Sequence, residues 1–599
     1  MNPSWRLHRR AWVVAAVGMA VGVAVACGGT ETVEKIVERT VVVEKIVEKP
    51  VEKVVQQTVV VEKQIVQTRV VEKEKEVLKL VVATAQPGYV LQAAEPNPKL
   101  GGEVRTAWGI TMQSFDMWSG GNSNVLTQMY NNLVRKNPTD GLRTIIPDLA
   151  TDWRISEDGM KYVFTLREGV KFHDGTPFGP DDVVATYTRA INPPANVPIA
   201  AKTLYDAIGK VEKTGPNEVT FTLAKPRVWQ FDMFSDPASV IMSKKALDAN
   251  NQDLRKIFAP GTGPMMLDSQ KPAEFFKYKR NPDYWNPKLP YVEFATMLHV
   301  PGWTERGTSV LTGVADFSWN VSFDTFEEGK KRPDIVKVNP INNFGFLEIR
   351  WNNTKPPFND TRVRRAMFLA FNRHIATQVY REEFLNVSRW ISAGGAGATP
   401  IEQVVKLPGY RKDNAEDIKE AQRLMAEAGF PGGKGLPTFD LVAASVTGHS
   451  QVLAPFFVEQ MKTNLGMNIT IRTVERALVN EEFKKDFDFV LSTVFHSPSP
   501  NHTPMWEAVF KTGGTQNFAR YSNPEFDKIV DKLSMETNPD ARAQLFAKGQ
   551  DILDADPPEV HFGYTSHMLM WRSAVKGLAL DQRLHQEWGR YDTVWIDRK

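Results

Sequence analysis

The chain has 599 residues, 42% of them hydrophobic and 24% charged, a globular composition long enough for several cores. Its net charge of +3 is small for that length, and no arginine-rich stripe or nucleic-acid motif appears, so nucleic acid is not expected as a partner. The single cysteine, Cys27, rules out an intrachain disulfide framework and any cysteine-based zinc site.

Arg6, Arg9 and Arg10 precede an apolar run from Ala11 to Ala26, the layout of a secretory signal. The run ends Ala24-Val25-Ala26-Cys27-Gly28. This resembles a bacterial lipobox, where a small residue precedes a cysteine that becomes lipidated; Ala24 stands where Leu is usual. Residues 1–27 are therefore expected to be a signal peptide, with Cys27 as the lipidation site. A retained transmembrane helix is the alternative, although the run is slightly short of the ~20 residues such a helix needs. Either outcome tethers the chain outside the cytoplasmic membrane.

Residues 28–99 differ abruptly in composition. Val-Glu-Lys recurs from Val33, Val43, Val51, Val61 and Val71, no aromatic residue interrupts the stretch up to about Ala85, and Pro50 breaks any single helix. Apolar clusters about every five residues fit neither the strand nor the helix period. The segment cannot bury enough to fold alone and is expected to be a stalk and linker.

A strand is expected over Leu100–Ala107, followed by a loop from Trp108 to Asn124 that holds Phe115, Trp118 and a Gly-Gly pair. Next comes a strand, turn, strand and turn from Ile146 to Phe178. Tyr162, Phe164 and Leu166 alternate along its second strand, and Asp158-Gly159 and Asp174-Gly175 mark its turns. Pro180-Asp181-Asp182 opens a helix. Asp360 caps a helix expected to run to Ile375, and Asp417–Ala428 forms another, ended by Gly429.

The order of residues carries more. Leu149-Ala150, Trp153, Ser156, Asp158-Gly159, Tyr162, Phe164, Leu166-Arg167 and the run Gly169 to Gly175, with Pro177-Phe178, resemble the signature of the family 5 extracellular solute-binding proteins. These are the oligopeptide, dipeptide and nickel-binding components of ABC importers. Gly261-Thr262-Gly263-Pro264, Arg280-Asn281 with Tyr284-Trp285, Leu311 to Asp316, Phe358 to Ala366, and Asn517 to Asp527 extend the resemblance across roughly residues 100–599. It implies a two-lobed α/β fold of the periplasmic binding protein type, of type II, with two hinge strands and an extra subdomain in the first lobe. Expected boundaries are 100–145, 262–342 and 558–599 for lobe I, 146–261 for the inserted subdomain, and 343–557 for lobe II.

The implied function is capture of a small solute or peptide in the cleft and delivery to an ABC permease and ATPase. The implied location is the outer face of the cytoplasmic membrane, through a lipid anchor. Candidate cleft residues are Trp108, Trp118, Trp319, Phe344, Trp390, Phe495, His496 and Trp506, since aromatic walls with a few polar groups suit small solutes. His173 is expected to brace a turn. His496 and His502 share a Pro-rich loop without carboxylate or cysteine partners, so neither metal nor cofactor is expected.

Two other functions compete. A surface sensor without a transport role would have the same sequence features. A hydrolase would use Ser450 in Gly448-His449-Ser450-Gln451-Val452, but Val452 stands where a nucleophile elbow needs a small residue. In peptide-binding relatives an Asp after the corresponding Asp-x-Asp strand takes the peptide's α-amino group. Here no acid lies between Asp488 and Glu507, which puts recognition of a peptide N-terminus in doubt.

Overall fold

The computed structural model describes residues 89–91, 97–109, 112, 114–139, 144–199, 202–380, 385–393, 395, 397–444, 448–475, 478–495, 502–578 and 590–598. The leader, Cys27 and the stalk up to residue 88 lie outside them, whereas Leu91 of the linker is buried against Tyr284 and Tyr291.

One mixed sheet runs through the protein. Its strands follow the order Ile469–Val474, Phe439–Ala444, Phe489–Phe495, Val336–Trp351, Glu559–Arg572, Phe317–Trp319, Glu103–Trp108, Phe294–His299, Phe275–Arg280 and Met265–Lys271. The two long central strands are antiparallel, from Val336 opposite Arg572 to Arg350 opposite Glu559. Their halves belong to different cores. Ile341, Leu569 and Trp571 pack with Trp319, Val104 and Phe276. Leu347, Ile349, Val560 and Phe562 pack with Phe439, Phe457 and Phe489. Two lobes therefore share one sheet through two hinge strands, which is the expected two-lobed α/β fold.

The stretch that carries the family signature forms part of a separate four-stranded antiparallel sheet, ordered Ala150–Ile155, Lys161–Leu166, Glu218–Leu223 and Ile208–Gly215. Alternation decides its faces: Tyr162, Phe164 and Leu166 are buried while Val163 and Thr165 are half-buried. The helix Pro180–Ile191 covers it with Val183, Tyr187 and Ala190, and a fully buried side chain the size of Val183 contributes about 1.5–3 kcal/mol. Asp182 caps that helix by accepting from the Gly179 N–H at 2.9 Å. This sheet has no core of its own, because Phe164 and Tyr187 belong to the same cluster as Val104 and Leu569 of lobe I.

The turn around His173 braces this assembly. The His173 Nε2 lies 3.0 Å from the Gly263 carbonyl oxygen, and its Nδ1 accepts from the Gly261 N–H at 3.4 Å. Gly261 and Gly263 must be glycines, since a Cβ there would lie 1.9 Å from the Met129 carbonyl oxygen and 2.3 Å from its carbon. The last described segment also closes lobe I. Arg590 bonds Asp148 and Asn132, Asp592 pairs with Arg135, Arg598 pairs with Asp316, and Val575–Lys576 pairs with Trp595–Ile596.

Two local expectations need correction. The helix that Asp360 caps ends at Ala370, and a second helix, Arg373–Tyr380, follows, because Asn372 breaks the run and its Oδ1 accepts from the Ile375 N–H. The strand expected from Phe344 starts earlier, at Val336, and is the first hinge strand. The second clear helix spans Ala415–Glu427, and Gly429 follows it at φ 95°.

Candidate functional site

Strand direction locates the site. Phe294–His299 and Phe317–Trp319 run parallel to Glu103–Trp108, so Trp108, His299 and Trp319 stand at carboxyl ends. Trp319 lies opposite Leu569 of the second hinge strand. In the other lobe Phe439–Ala444 runs parallel to Phe489–Phe495, whose last residue lies opposite Gly345, itself opposite Thr565. Both lobes thus aim the carboxyl ends of parallel strands at the middle of the hinge pair. From Leu569 to Thr565 is about 13 Å of strand. Crevices outside such carboxyl ends are where open α/β sheets bind ligands.

The floor is irregular there. Pairing jumps from Ile341 opposite His567 to Gly345 opposite Thr565, so residues 342–344 stand against Ser566 alone, a bulge of the kind that re-aims side chains. The Thr565 hydroxyl donates to the Gly345 carbonyl at 3.0 Å, and the Asn386 amide lies 3.2 Å from the Ser566 hydroxyl. The Ser392 hydroxyl and His502 Nε2 are 3.2 Å apart.

Of the candidate aromatics, the structure brings Trp108 and Trp319 together. Their rings are 4.7 Å apart at 43°, and the Arg306 guanidinium sits 4.7 Å from the Trp108 ring. Arg306 is held by the carbonyls of Val300, at 2.7 Å, and Pro301, at 3.0 Å. Trp319 is wholly buried and supports Trp108, which keeps part of its surface open. A braced, half-open indole suits stacking on a ligand.

Trp118, Trp390 and Trp506 are corrected to packing residues. Trp118 donates its N–H to the Val240 carbonyl at 2.9 Å and packs on Tyr187 and Tyr205. Trp390 donates to Asp554 at 2.8 Å, stacks on Phe368 and meets the His561 ring at a tilt. Trp506 is enclosed by Phe526 and Phe546. Each lies in a loop or helix whose aromatic has a core to fill, and single-residue inspection does not separate the two cases. Phe344 lies in the bulge and Phe495 ends its strand, but their side chains are outside the described residues, as is His496.

The acids near Asp488 have structural work. Asp488 accepts from the Asp440 N–H at 2.9 Å and pairs with Lys355 at 2.9 Å, and Asp486 pairs with Lys355 at 3.2 Å. Both lie at the amino end of their strand, away from the crevice. Ser450 is buried in the first turn of the helix Gly448–Leu465. Among the described residues no cluster of metal-ligating side chains occurs, and no helix is long and apolar enough to cross a membrane.

A charged group that sequence reading passed over lies on the hinge strands. Arg350 reaches Glu348 at 2.7 Å and Glu559 at 3.1 Å, with all three buried. Burial, and then the neighbouring Glu348 charge, push the Glu559 carboxyl well above the usual range. The signal was present: Glu348 and Arg350, two apart in a central strand, must share a face.

Known proteins share this frame. The model of bacterial extracellular solute-binding proteins, family 5 Middle, matches residues 144–516. The glutathione-binding protein GsiB of Escherichia coli (strain K12) is 26% identical over 427 residues, covering 68% of this chain and 78% of that protein. The structure of the Helicobacter pylori periplasmic binding protein DppA with peptide STSA superposes with a TM-score of 0.71 at 22% identity, covering 84% of this chain and 99% of that one. NikZ of Campylobacter jejuni with Ni(L-His) gives 0.70 at 19% identity, covering 82% and 99%. These are binding proteins, not enzymes, which removes the hydrolase reading of Ser450. On the match over more than half its length, the chain belongs to the family 5 extracellular solute-binding proteins, the extracytoplasmic binding components of ABC importers.

Proposed function

We propose that the protein captures a small solute at the crevice where the carboxyl ends of both lobes' parallel strands meet the hinge, and delivers it to a membrane permease. That convergence of Trp319 and Phe495 on the stretch Thr565 to Leu569 is the observation that carries the reading. Contacts to both lobes exist only when the lobes are together, so ligand shifts the population to the closed form that a permease recognises. Trp108, backed by Trp319 and flanked by Arg306, forms one wall. The Trp108 indole N–H is buried with no acceptor among the described residues, a donor suited to a ligand oxygen. Phe344, Phe495 and His496 are proposed for the opposite side and the floor.

The relatives bind glutathione, a peptide and a nickel complex of histidine, so a small peptide-like or amino-acid-derived solute is the favoured class. Asp486 and Asp488 are engaged elsewhere, which favours a ligand held by something other than a carboxylate at that strand. We keep the expected lobe boundaries with one change. The second crossing is placed near Thr565 and not at residue 558, because Val560 and Phe562 pack in the second lobe's core. Lipidation at Cys27 and a spacer role for residues 28–99 complete the reading, with the membrane and an ABC permease and ATPase as partners.

Native mass spectrometry of the purified chain tests it. A co-purified solute lost in Trp108→Ala supports the reading. A ligand-free wild type, with no shift in melting across peptides, glutathione, opines and metal–histidine complexes, would overturn it. A ligand present at 100 times its Kd adds about 2.7 kcal/mol, well within detection.

A further inference from the structure

The lobes touch at a second place that involves no hinge residue. The turn Lys225 to Trp229 belongs to the inserted subdomain, after its strand Glu218–Leu223. Its Arg227 reaches Glu507 of the second-lobe helix Thr503–Val509, with Nη2 2.6 Å from Oε1. The next residue, Val228, donates its backbone N–H to the Ser534 carbonyl at 2.9 Å. Ser534 lies on another second-lobe helix, Pro524–Met535, and its hydroxyl donates to the other Glu507 oxygen at 3.3 Å.

The ion pair is not a surface ornament. The Arg227 side chain is 1% exposed and that of Glu507 is 10% exposed. The guanidinium also meets Asp206 at 2.7 Å and lies 4.3 Å from the Trp229 ring. Surface ion pairs are worth little, whereas removing one partner of a desolvated pair leaves a charge buried and unbalanced. Parting the lobes strips Arg227 of Glu507 and of the second-lobe wall at once. Water then has to replace both.

We propose that Arg227 and Glu507 form a clasp between the inserted subdomain and lobe II that favours the closed form without any contribution from the ligand. The proposal rests on the two-lobed capture reading, but its energy source is wholly protein. The clasp is a positioning device: it sets how much of the ligand's binding energy is spent on closure. A protein that is already partly closed binds more tightly than the same cleft held open, by the ratio of the competent fractions. Glu507 is also the first acid after Asp488 in the sequence, and here Arg227 occupies it.

The test measures lobe separation in the full chain. Cys27→Ser removes the only native cysteine, and Lys210→Cys and Lys548→Cys place spin labels at exposed positions, one on the subdomain and one on lobe II. The chain is stripped of solute by unfolding and refolding in detergent, and the label distance is read by pulsed electron resonance. The expected result is a substantial short-distance population in the parent chain. Glu507→Gln and Arg227→Met should lower the closed-to-open ratio at least tenfold, while Arg227→Lys, which keeps the cation, should retain most of it. Unchanged melting temperatures of the lobes would mark the effect as one on closure, and Glu507→Gln, nearly isosteric, guards against a misfolded Arg227 variant. Identical distance distributions in parent, Glu507→Gln and Arg227→Met would overturn the clasp, as would a stripped parent chain that is entirely open. Failure of solute capture reads differently: no solute would then change the distances of any variant, whatever the clasp does.

Discussion

Arg350 and Glu559 face each other across the two hinge strands, with Nε and Oε2 3.1 Å apart and both side chains buried. Glu348, beside them, makes two carboxyl groups for one guanidinium, and the Ser492 hydroxyl donates to Glu348 at 2.7 Å. Burial, and then the Glu348 carboxyl beside it, raise the Glu559 carboxyl well above its usual range, which favours its protonated form.

A pH dependence follows. A carboxyl whose folded value lies above its unfolded one, about 4.3, contributes stability below that value and loses it as pH rises toward the folded one. Glu559→Gln supplies a neutral group of the same shape. Relative to the parent, its melting temperature should improve as pH rises above about 4.3. Parallel melting curves against pH for the two proteins would contradict the assignment.

His173 titrates in the opposite sense. Burial lowers its pKa to about 4, and the ring is held neutral with the Gly261 N–H on Nδ1. Its stabilisation is therefore complete above the unfolded value, about 6.5, and declines as pH falls toward about 4. The parent should lose melting temperature over that interval. In His173→Gln the pH-linked part of the loss should vanish, at the cost of a lower plateau, as thermal melts at fixed ionic strength would record.

The tryptophans separate by consequence. Trp108→Ala should abolish solute retention while costing less stability than a core truncation, because the ring is partly open. Trp118→Ala empties a packed site between Tyr187 and Tyr205 and should destabilise by about 3–5 kcal/mol. Denaturant melts and native mass spectra on both variants check the division. Retained solute in Trp108→Ala would move the wall elsewhere.

Glycine replacement probes the loop that His173 holds. In Gly263→Ala the new methyl would collide with backbone at Met129 and Tyr130, which no rotamer relieves. A loss of about 1–3 kcal/mol or more is expected from chemical denaturation, against a few tenths of a kcal/mol for substitutions on the exposed surface.

Much of the frame was legible because local rules and global packing agree. The alternation of Tyr162, Phe164 and Leu166, the Asp-Gly turns and the Asp360 cap all reappear where the residues put them. The site was legible only in part. Trp108 and Trp319 are neighbours only through a sheet that joins residues far apart in the chain. Trp118, Trp390 and Trp506 have the same side chain with another use, and nothing in a single residue reveals the neighbours it will meet. Arg227 and Glu507 are 280 positions apart, so only the folded chain brings them together.

The fastening of lobe I by its last described segment has a consequence for biosynthesis. Asp148, Arg135 and Asp316 find Arg590, Asp592 and Arg598 only after residues 590–598 have been made. Until then those three ion pairs are unmade, and before residue 572 is made the hinge strand Glu559–Arg572 is missing from the centre of the sheet. A chain that has not yet reached these residues therefore stays short of its native state.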